Sequence, residues 1–273
     1  MEYRIEYWSN HASDAHPTVL TISASEPALL FVGSNADNPG LEPVGTFRAT
    51  PPPAETDALV HVARMLVRTP QSVVAAALPG EEIRRLTIAL DSGPQETRHV
   101  TESSPPDQWF LRAEAAAVAL AKVVRQHPKV ALLGQTVVRL NGTGRVEVAV
   151  KLVNVGFDAL AIPHPDFWTD GSVSIQVTAR RNDVPLAELR NEHQRFLDLS
   201  KAELVSASPA LVQARTITIA PHGELTFNFS ADLALPQGNY DVWLTLDTAL
   251  LNDQGLQIMR TQLVSKKEQQ RIF

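Results

Sequence analysis

The densest group of side chains with chemical reach is Asp166-Phe167-Trp168-Thr169-Asp170, two carboxylates around two aromatic rings. Two carboxylates can share acid–base work when they meet in one cleft with separated pKa values. Aromatic rings held on a turn offer instead a large contact area at small entropic cost, the chemistry of a binding loop. His164-Pro165 stiffens the chain before the group, and Gly171 turns it afterwards. The spacing predicts an exposed binding loop over Pro163–Asp170, with Asp166, Phe167, Trp168 and Asp170 as its contact residues. The competing reading places the two aromatics in the core at the end of a β-sandwich.

Other chemistry has thinner material. Eight histidines are present, but His-Glu-x-x-His does not occur, and Glu192-His193 lacks the first His of the inverted motif. His11, Asp14 and His16 fall close together in a loop, where solvated side chains are a simpler reading than a metal site. The absence of cysteine removes disulfides, thiolate metal sites and cysteine nucleophiles together. Ser34 after Gly33 and Ser172 after Gly171 read as turn serines, without the Gly-x-Ser-x-Gly elbow of a hydrolase. Gly142-Thr143-Gly144 lacks the third glycine of a dinucleotide fingerprint and precedes a strand, so it reads as a hairpin turn. No catalytic residue, metal ligand or cofactor site is expected from these motifs.

The elements that must position the aromatic group fall into two stretches. In the first, Tyr3–Tyr7 and Val19–Ser23 alternate, Ala28–Val32 is a short apolar run, and Asp37-Asn38-Pro39-Gly40 is turn chemistry. Thr50-Pro51-Pro52-Pro53 opens a helix with Leu59, Val62, Ala63 and Leu66 on one face. Arg85–Leu90 and Arg98–Thr101 read as a hairpin. Ser104 and Asp107 are spaced like a capping box for a second, alanine-rich helix that ends before His127-Pro128. Its small side chains allow close packing against a neighbouring element. Residues 1–134 therefore read as an α+β domain of antiparallel strands plus two helices.

Past Gly134 the period changes to two. Val146, Val148, Val150 and Leu152 alternate with polar or small residues, as do Val173, Ile175 and Val177. Leu225, Phe227 and Phe229 repeat the pattern, followed by Tyr240, Val242, Leu244 and Leu246. Turns at Asn141-Gly142, Asn182-Asp183, Pro221-His222-Gly223 and Pro236-Gln237-Gly238 separate them, as in an antiparallel sandwich over residues 135–265. Leu186–Leu204 stands apart, with Leu189, His193, Phe196 and Leu197 suited to a helical insertion. Lys266–Phe273 reads as a solvated C-terminal tail.

The stretch Arg145–Phe157, ending Asn154-Val155-Gly156, resembles the strand and Asn-x-Gly turn of Ig-like bacterial domains. Pro221-His222-Gly223-Glu224 and Pro236-Gln237-Gly238-Asn239-Tyr240 are similar to the closing strands of such domains, intracellular proteinase inhibitors among them. This resemblance implies an Ig-like β-sandwich and carries no site residues. The order of strands, Pro-led helix, hairpin and Pro-led helix in the first half is similar to emfourin-like inhibitors of metalloproteases, although the paired glycines expected near the start of that family are missing.

Composition bounds the partners. Hydrophobic residues make up 44% and charged residues 20% of the 273-residue chain, an ordinary globular balance. The net charge of −6 comes without a basic face, which argues against nucleic acid. Ala115–Ala121 is the longest apolar run, far short of the roughly 20 residues that span a bilayer. Glu2, Arg4 and Glu6 interrupt the region where a secretory signal would need an apolar core, so a cytoplasmic protein is expected. Together these features point to a non-catalytic protein-binding module, an inhibitor or immunity-type protein. The alternative is a hydrolase with an acid or His site in the N-terminal domain or at the domain interface. Oligomeric state is left open.

Overall fold

A computed structural model describes residues 2–11, 16–70, 76–78, 80–91, 93–104, 107–140, 145–171, 173–212 and 214–272; the side chains of His11, Thr169, Asp170 and Leu186 are outside this description. The chain is mainly β and divides into two units. Unit 1 comprises Met1–Gly33 and Gly45–Lys129, and unit 2 comprises Ser34–Val44 and Val130–Phe273.

Unit 1 holds β1 (Tyr3–His11), β2 (Thr18–Ser23), β3 (Ala28–Val32), β4 (Val44–Ala49), α1 (Pro53–Arg68), β5 (Glu82–Leu90), β6 (Glu96–Thr101) and α2 (Gln108–Val124). Its strands run antiparallel in the order β4–β3–β2–β1–β5–β6. Alternation decides the faces. Ile5, Tyr7, Leu20, Ile22, Leu30, Leu86 and Ile88 are buried, while Arg4, Glu6, Thr21 and Thr87 take the other side. Both helices lie against one another and touch the sheet at β3 and β5. Pro53 sits at the start of α1, where its missing N–H costs nothing, and Leu59, Val60, Ala63 and Leu66 are buried; Val62 is only half-buried. In α2, Phe110, Ala113, Ala117, Leu120 and Val124 recur at steps of three and four and form the buried stripe.

The start of α2 departs from the expected capping box. One carboxylate oxygen of Asp107 accepts from the backbone N–H groups of Trp109 (2.9 Å) and Phe110 (3.1 Å), so Asp107 itself is the cap. Ser104 serves the preceding strand instead: its hydroxyl accepts from the Thr101 N–H at 3.0 Å and meets the Thr101 hydroxyl at 2.8 Å.

Unit 2 continues with β7 (Pro128–Leu140), β8 (Arg145–Asn154), β9 (Leu160–Pro163), β10 (Ser174–Arg181), β11 (Gln194–Asp198), β12 (Glu203–Ser208), β13 (Thr216–Ile219), β14 (Glu224–Asp232), β15 (Gly238–Leu251), β16 (Gln257–Val264) and β17 (Glu268–Ile272). One antiparallel arrangement runs β12–β14–β8–β7; the other runs β11–β10–β15–β9–β13, with β16 and β17 also paired to β15. Both contribute to a single apolar cluster. Val146, Val148, Val150 and Leu152 of β8, Leu225, Phe227 and Phe229 of β14, Ile175 and Val177 of β10, and Tyr240, Val242, Leu244 and Leu246 of β15 are all buried in it. Burial of side chains of this size stabilises by about 1.5–3 kcal/mol each.

Two expectations are corrected here. Leu186–Leu204 forms no α-helix: short 3-10 turns at Leu186–Glu188, Asn191–His193 and Leu199–Lys201 flank β11, which pairs with β10 from Gln176↔Asp198 to Arg180↔Gln194. Asn191 and Asp198 favour turns over helix interiors, and strand pairing satisfies the backbone that a helix would have satisfied. The C-terminal segment is not a tail. Glu268–Ile272 pairs with Gly238–Val242 along the first half of β15, and Gln270 Nε2 donates to the Val138 carbonyl at 3.0 Å.

The period change read at Gly134 falls within β7, where Gly134 pairs with Leu152 and an added Cβ would come 3.1 Å from Leu263 Cδ1. The two units divide at Lys129/Val130, and residues 34–44 join unit 2. Asn35 explains the second point. It is 2% exposed, its Nδ2 donates to the Val264 carbonyl (3.2 Å), and its Oδ1 accepts from the Val264 N–H (2.7 Å). A single side chain thus pairs with β16 as a strand would.

Candidate functional site

The expected binding loop contains a two-turn 3-10 segment, Pro165–Asp170, just after β9. His164 caps it: Nδ1 accepts from the Asp166 N–H at 3.2 Å. Pro165 occupies the first helical position, and Gly171 ends the turn at φ 86°, a conformation that side chains resist.

The four expected contact residues do not share a surface. Trp168 is buried, only 3% exposed; its Nε1 donates to the Pro163 carbonyl at 3.0 Å, and its ring meets Phe227 edge-on at 5.4 Å and Phe229 at 5.8 Å. Its expected role as an exposed anchor is therefore corrected: a 3-10 turn sends successive side chains about 120° apart, and the one facing the sheets fills the cluster. Asp166 and Phe167 point outward, with Asp166 Oδ2 3.4 Å from His164 Nδ1. Asp170 ends the turn, but its side chain lies outside the described residues, as do Asp14, Ser172 and Gly142–Gly144 among the other singled-out positions. Ser34 is a linking residue, donating to Gln262 Oε1 at 3.3 Å. Among the described residues, no three His, Cys, Asp or Glu side chains gather as a metal site, and no helix is long and apolar enough to cross a membrane.

The structure builds a different candidate on the outward face of β12–β14–β8–β7. Pairing places Val137, Ala149, Asn228 and Ser206 in one cross-strand row and Arg139, Glu147, Ser230 and Glu203 in the next. Small side chains between longer ones leave a concavity of about 710 Å³, within the usual range for ligand sites. A bulge between Leu204 and Ser206 brings Val205 to the same rim as Ser206. Val205 is 59% and Val137 47% exposed, apolar groups where the alternation calls for polar ones.

Polar groups complete the concavity. Arg145 Nε donates to the Ser230 hydroxyl, Arg145 Nη2 lies 3.5 Å from the Glu203 carboxylate, and Asn228 Nδ2 donates to Ser206 Oγ at 3.0 Å. Arg139 is exposed at the rim and makes no ion pair among the described residues. Sequence reasoning missed this site because its residues come from four strands spread over Val137–Ser230. A usable signal was present: Val137 and Val205 interrupt outward-facing positions that are otherwise mostly polar.

Unit 1 gathers a second polar group. The Tyr7 hydroxyl donates to Glu114 Oε1 (3.0 Å), Arg84 Nη1 donates to both Glu114 oxygens (3.3 and 3.1 Å), and the Ser9 hydroxyl donates to Glu82 Oε1 (2.7 Å). Burial, reinforced by the Glu114 carboxylate, pushes the Tyr7 phenol well above its ordinary value and keeps it a neutral donor. These groups direct their hydrogen bonds to one another, joining α2 to β1 and β5.

No family model and no curated protein matches the sequence. Among solved structures, a Bordetella pertussis protein named ApaA aligns with 53% of this chain and 96% of its own, at 8% identity and a TM-score of 0.31. AvmM, which catalyses macrocyclization in alchivemycin A biosynthesis, aligns with 52% of this chain and 87% of its own, at 8% identity and a TM-score of 0.27.

Proposed function

We propose that this chain is a non-catalytic, cytoplasmic protein-binding module of the inhibitor or immunity type, and that unit 2 is an Ig-like sandwich that receives its partner on the outward face of β12–β14–β8–β7. The observation that carries the reading is the pair of exposed valines, Val137 and Val205, on a concavity that also offers Arg139, Asn228 and Ser206. Apolar anchors within a polar rim are how protein interfaces concentrate binding energy. Rows of side chains repeat across the strands at about 4.8 Å, so an extended segment of a partner finds polar and apolar contacts in turn. The bulge in β12 twists this edge away from continuous strand pairing, which favours recognition by the face over addition of a strand.

The test is co-purification of the full chain from its native cells beside the double variant Val137→Asp/Val205→Asp. Both positions are exposed strand positions, so the double variant should lose no more than about 2 kcal/mol, about 1 kcal/mol of strand preference at each site, and stay folded. A stoichiometric protein partner retained by the natural chain and lost by the variant supports the proposal. Equal retention by both removes the site. A hydrolytic activity in the purified chain that is abolished by Glu114→Gln would replace the proposal with the enzyme reading.

A further inference from the structure

The outward face of the unit 1 sheet carries a second concavity, of about 380 Å³, that the binding-module reading does not use. We propose that it is a binding site for a phosphate-type oxyanion, held between Arg4 of β1 and Arg85 of β5. Register explains why these residues meet there. Arg4 pairs with Ala89, Glu6 with Thr87 and Trp8 with Arg85, so the two guanidinium-bearing positions stand four residues apart on one face, about 13 Å along the strands. In the row between them lie Glu6, Thr87 and Thr97, with Thr97 paired to Thr87, while the short Ala89 stands beside Arg4. Long arginines on either side of two threonines and Glu6 leave room for a ligand, and both line the same concavity.

The charges in this site are only partly answered from within. Arg4 is exposed and makes no ion pair or side-chain hydrogen bond among the described residues. Arg85 has only the Glu6 carboxylate, 3.9 Å from Nη2, beyond hydrogen-bond distance, and its Nε is buried with no hydrogen-bond partner. The Arg85 guanidinium also lies 4.8 Å from the centre of the Trp8 ring, which holds its plane in position. Two guanidinium groups against one carboxylate leave an excess positive charge, and the threonine hydroxyls and the Gln95 amide add neutral donors. Guanidinium forks match the oxygens of a phosphate, and several donors from different directions suit a tetrahedral anion better than a planar carboxylate. Glu6 opposes the anion, so it sets an upper bound on the affinity.

Amide chemical shifts of the full chain, followed during titration with sodium phosphate at constant ionic strength, test the site. Saturable shifts centred on Thr87 and Thr97 are expected. They should weaken at least tenfold in Arg4→Gln and in Arg85→Gln, and tighten severalfold in Glu6→Gln. Thr97→Val, on an exposed position, serves as a further variant if Arg85→Gln fails to fold, and it should weaken binding by a smaller factor. Phosphoserine titrated in parallel separates the sources: tighter binding than phosphate identifies a phosphomonoester ligand, and equal binding identifies the free ion. Shifts of the same size with sodium acetate, or shifts that persist unchanged in the arginine variants, overturn the proposal.

Discussion

The sheet of unit 1 buries its inner face under two helices, while β12–β14–β8–β7 shares a core with a second set of strands. The side chains record the difference. Where α2 meets its neighbours the buried stripe includes Ala113 and Ala117, and the helix can come close. In unit 2 the cluster holds Trp168, Phe227, Phe229 and Tyr240, because opposed sheets stand roughly 10 Å apart and only long side chains fill that gap. Alternation in the strands is the same in both units. What lies opposite decides whether a small or a large residue belongs at a buried position.

The largest expected effect tests unit 2. Trp168→Ala should cost about 3–5 kcal/mol by removing a buried indole from between Phe227 and Phe229, whereas its exposed neighbour Phe167→Ala should cost under about 1 kcal/mol. Urea melts of the two single variants read the contrast, and equal midpoints would place both rings outside the core. Next comes Asn154, fully buried, whose Nδ2 reaches the carbonyls of Asp158, Ile219 and Ala220 at 2.9–3.1 Å while its Oδ1 accepts from the Gly156 N–H. Asn154→Ala leaves those groups without partners and should lower stability by about 2–3 kcal/mol by the same measurement.

Unit 1 supplies the converse substitution. Ala117→Leu overfills the stripe of α2 and should cost about 2 kcal/mol, while Ala116→Leu, at a half-buried position, should cost less. Thermal melts that rank the two the other way would mean a different face of α2 is packed.

The smallest effect is a pH dependence in unit 1. Hydrogen bonds from the Ser103 hydroxyl first, then from the Leu78 N–H (2.8 Å), with a smaller share from the Ser103 N–H (2.6 Å), hold the Glu81 carboxyl below its ordinary value of 4.5. A carboxyl whose folded pKa is depressed contributes its stability above the unfolded value and loses it as pH falls through the folded one. Protection of the Ser103 amide from hydrogen exchange should therefore be constant from neutral pH down to about 4.5 and fall below it. In Glu81→Gln that acid-side fall should vanish.

Much of the secondary structure was legible because its causes are local. Pro53 opens α1, α2 begins just after the Ser104–Asp107 stretch expected to open it, although Asp107 rather than Ser104 is its cap, and the four alternating apolar sets of unit 2 all reach the core. The errors share a cause as well. Leu186–Leu204 carries a weak apolar period that fits a helix, yet β10 offered Gln194–Asp198 a strand edge, and pairing prevailed. Lys266–Phe273 looked solvated because it is polar, but half of β15 needed a partner. Of the expected contact residues, Asp166 and Phe167 face outward while Trp168 turns in, a choice that sequence neighbours cannot express.

Strand faces, helix starts, glycine turns and the absence of thiol chemistry were settled in the sequence, by residues a few positions apart. They depend on backbone geometry and capping, which act within one or two turns of chain. Which strands distant in the chain stand side by side was settled only in the folded chain. That pairing produced the clamp of Asn35 on Val264, the burial of Trp168, and the concavities lined by Val137 with Val205 and by Arg4 with Arg85. Each joins residues far apart in the chain, and their meeting depends on packing summed over the whole unit rather than on any local preference.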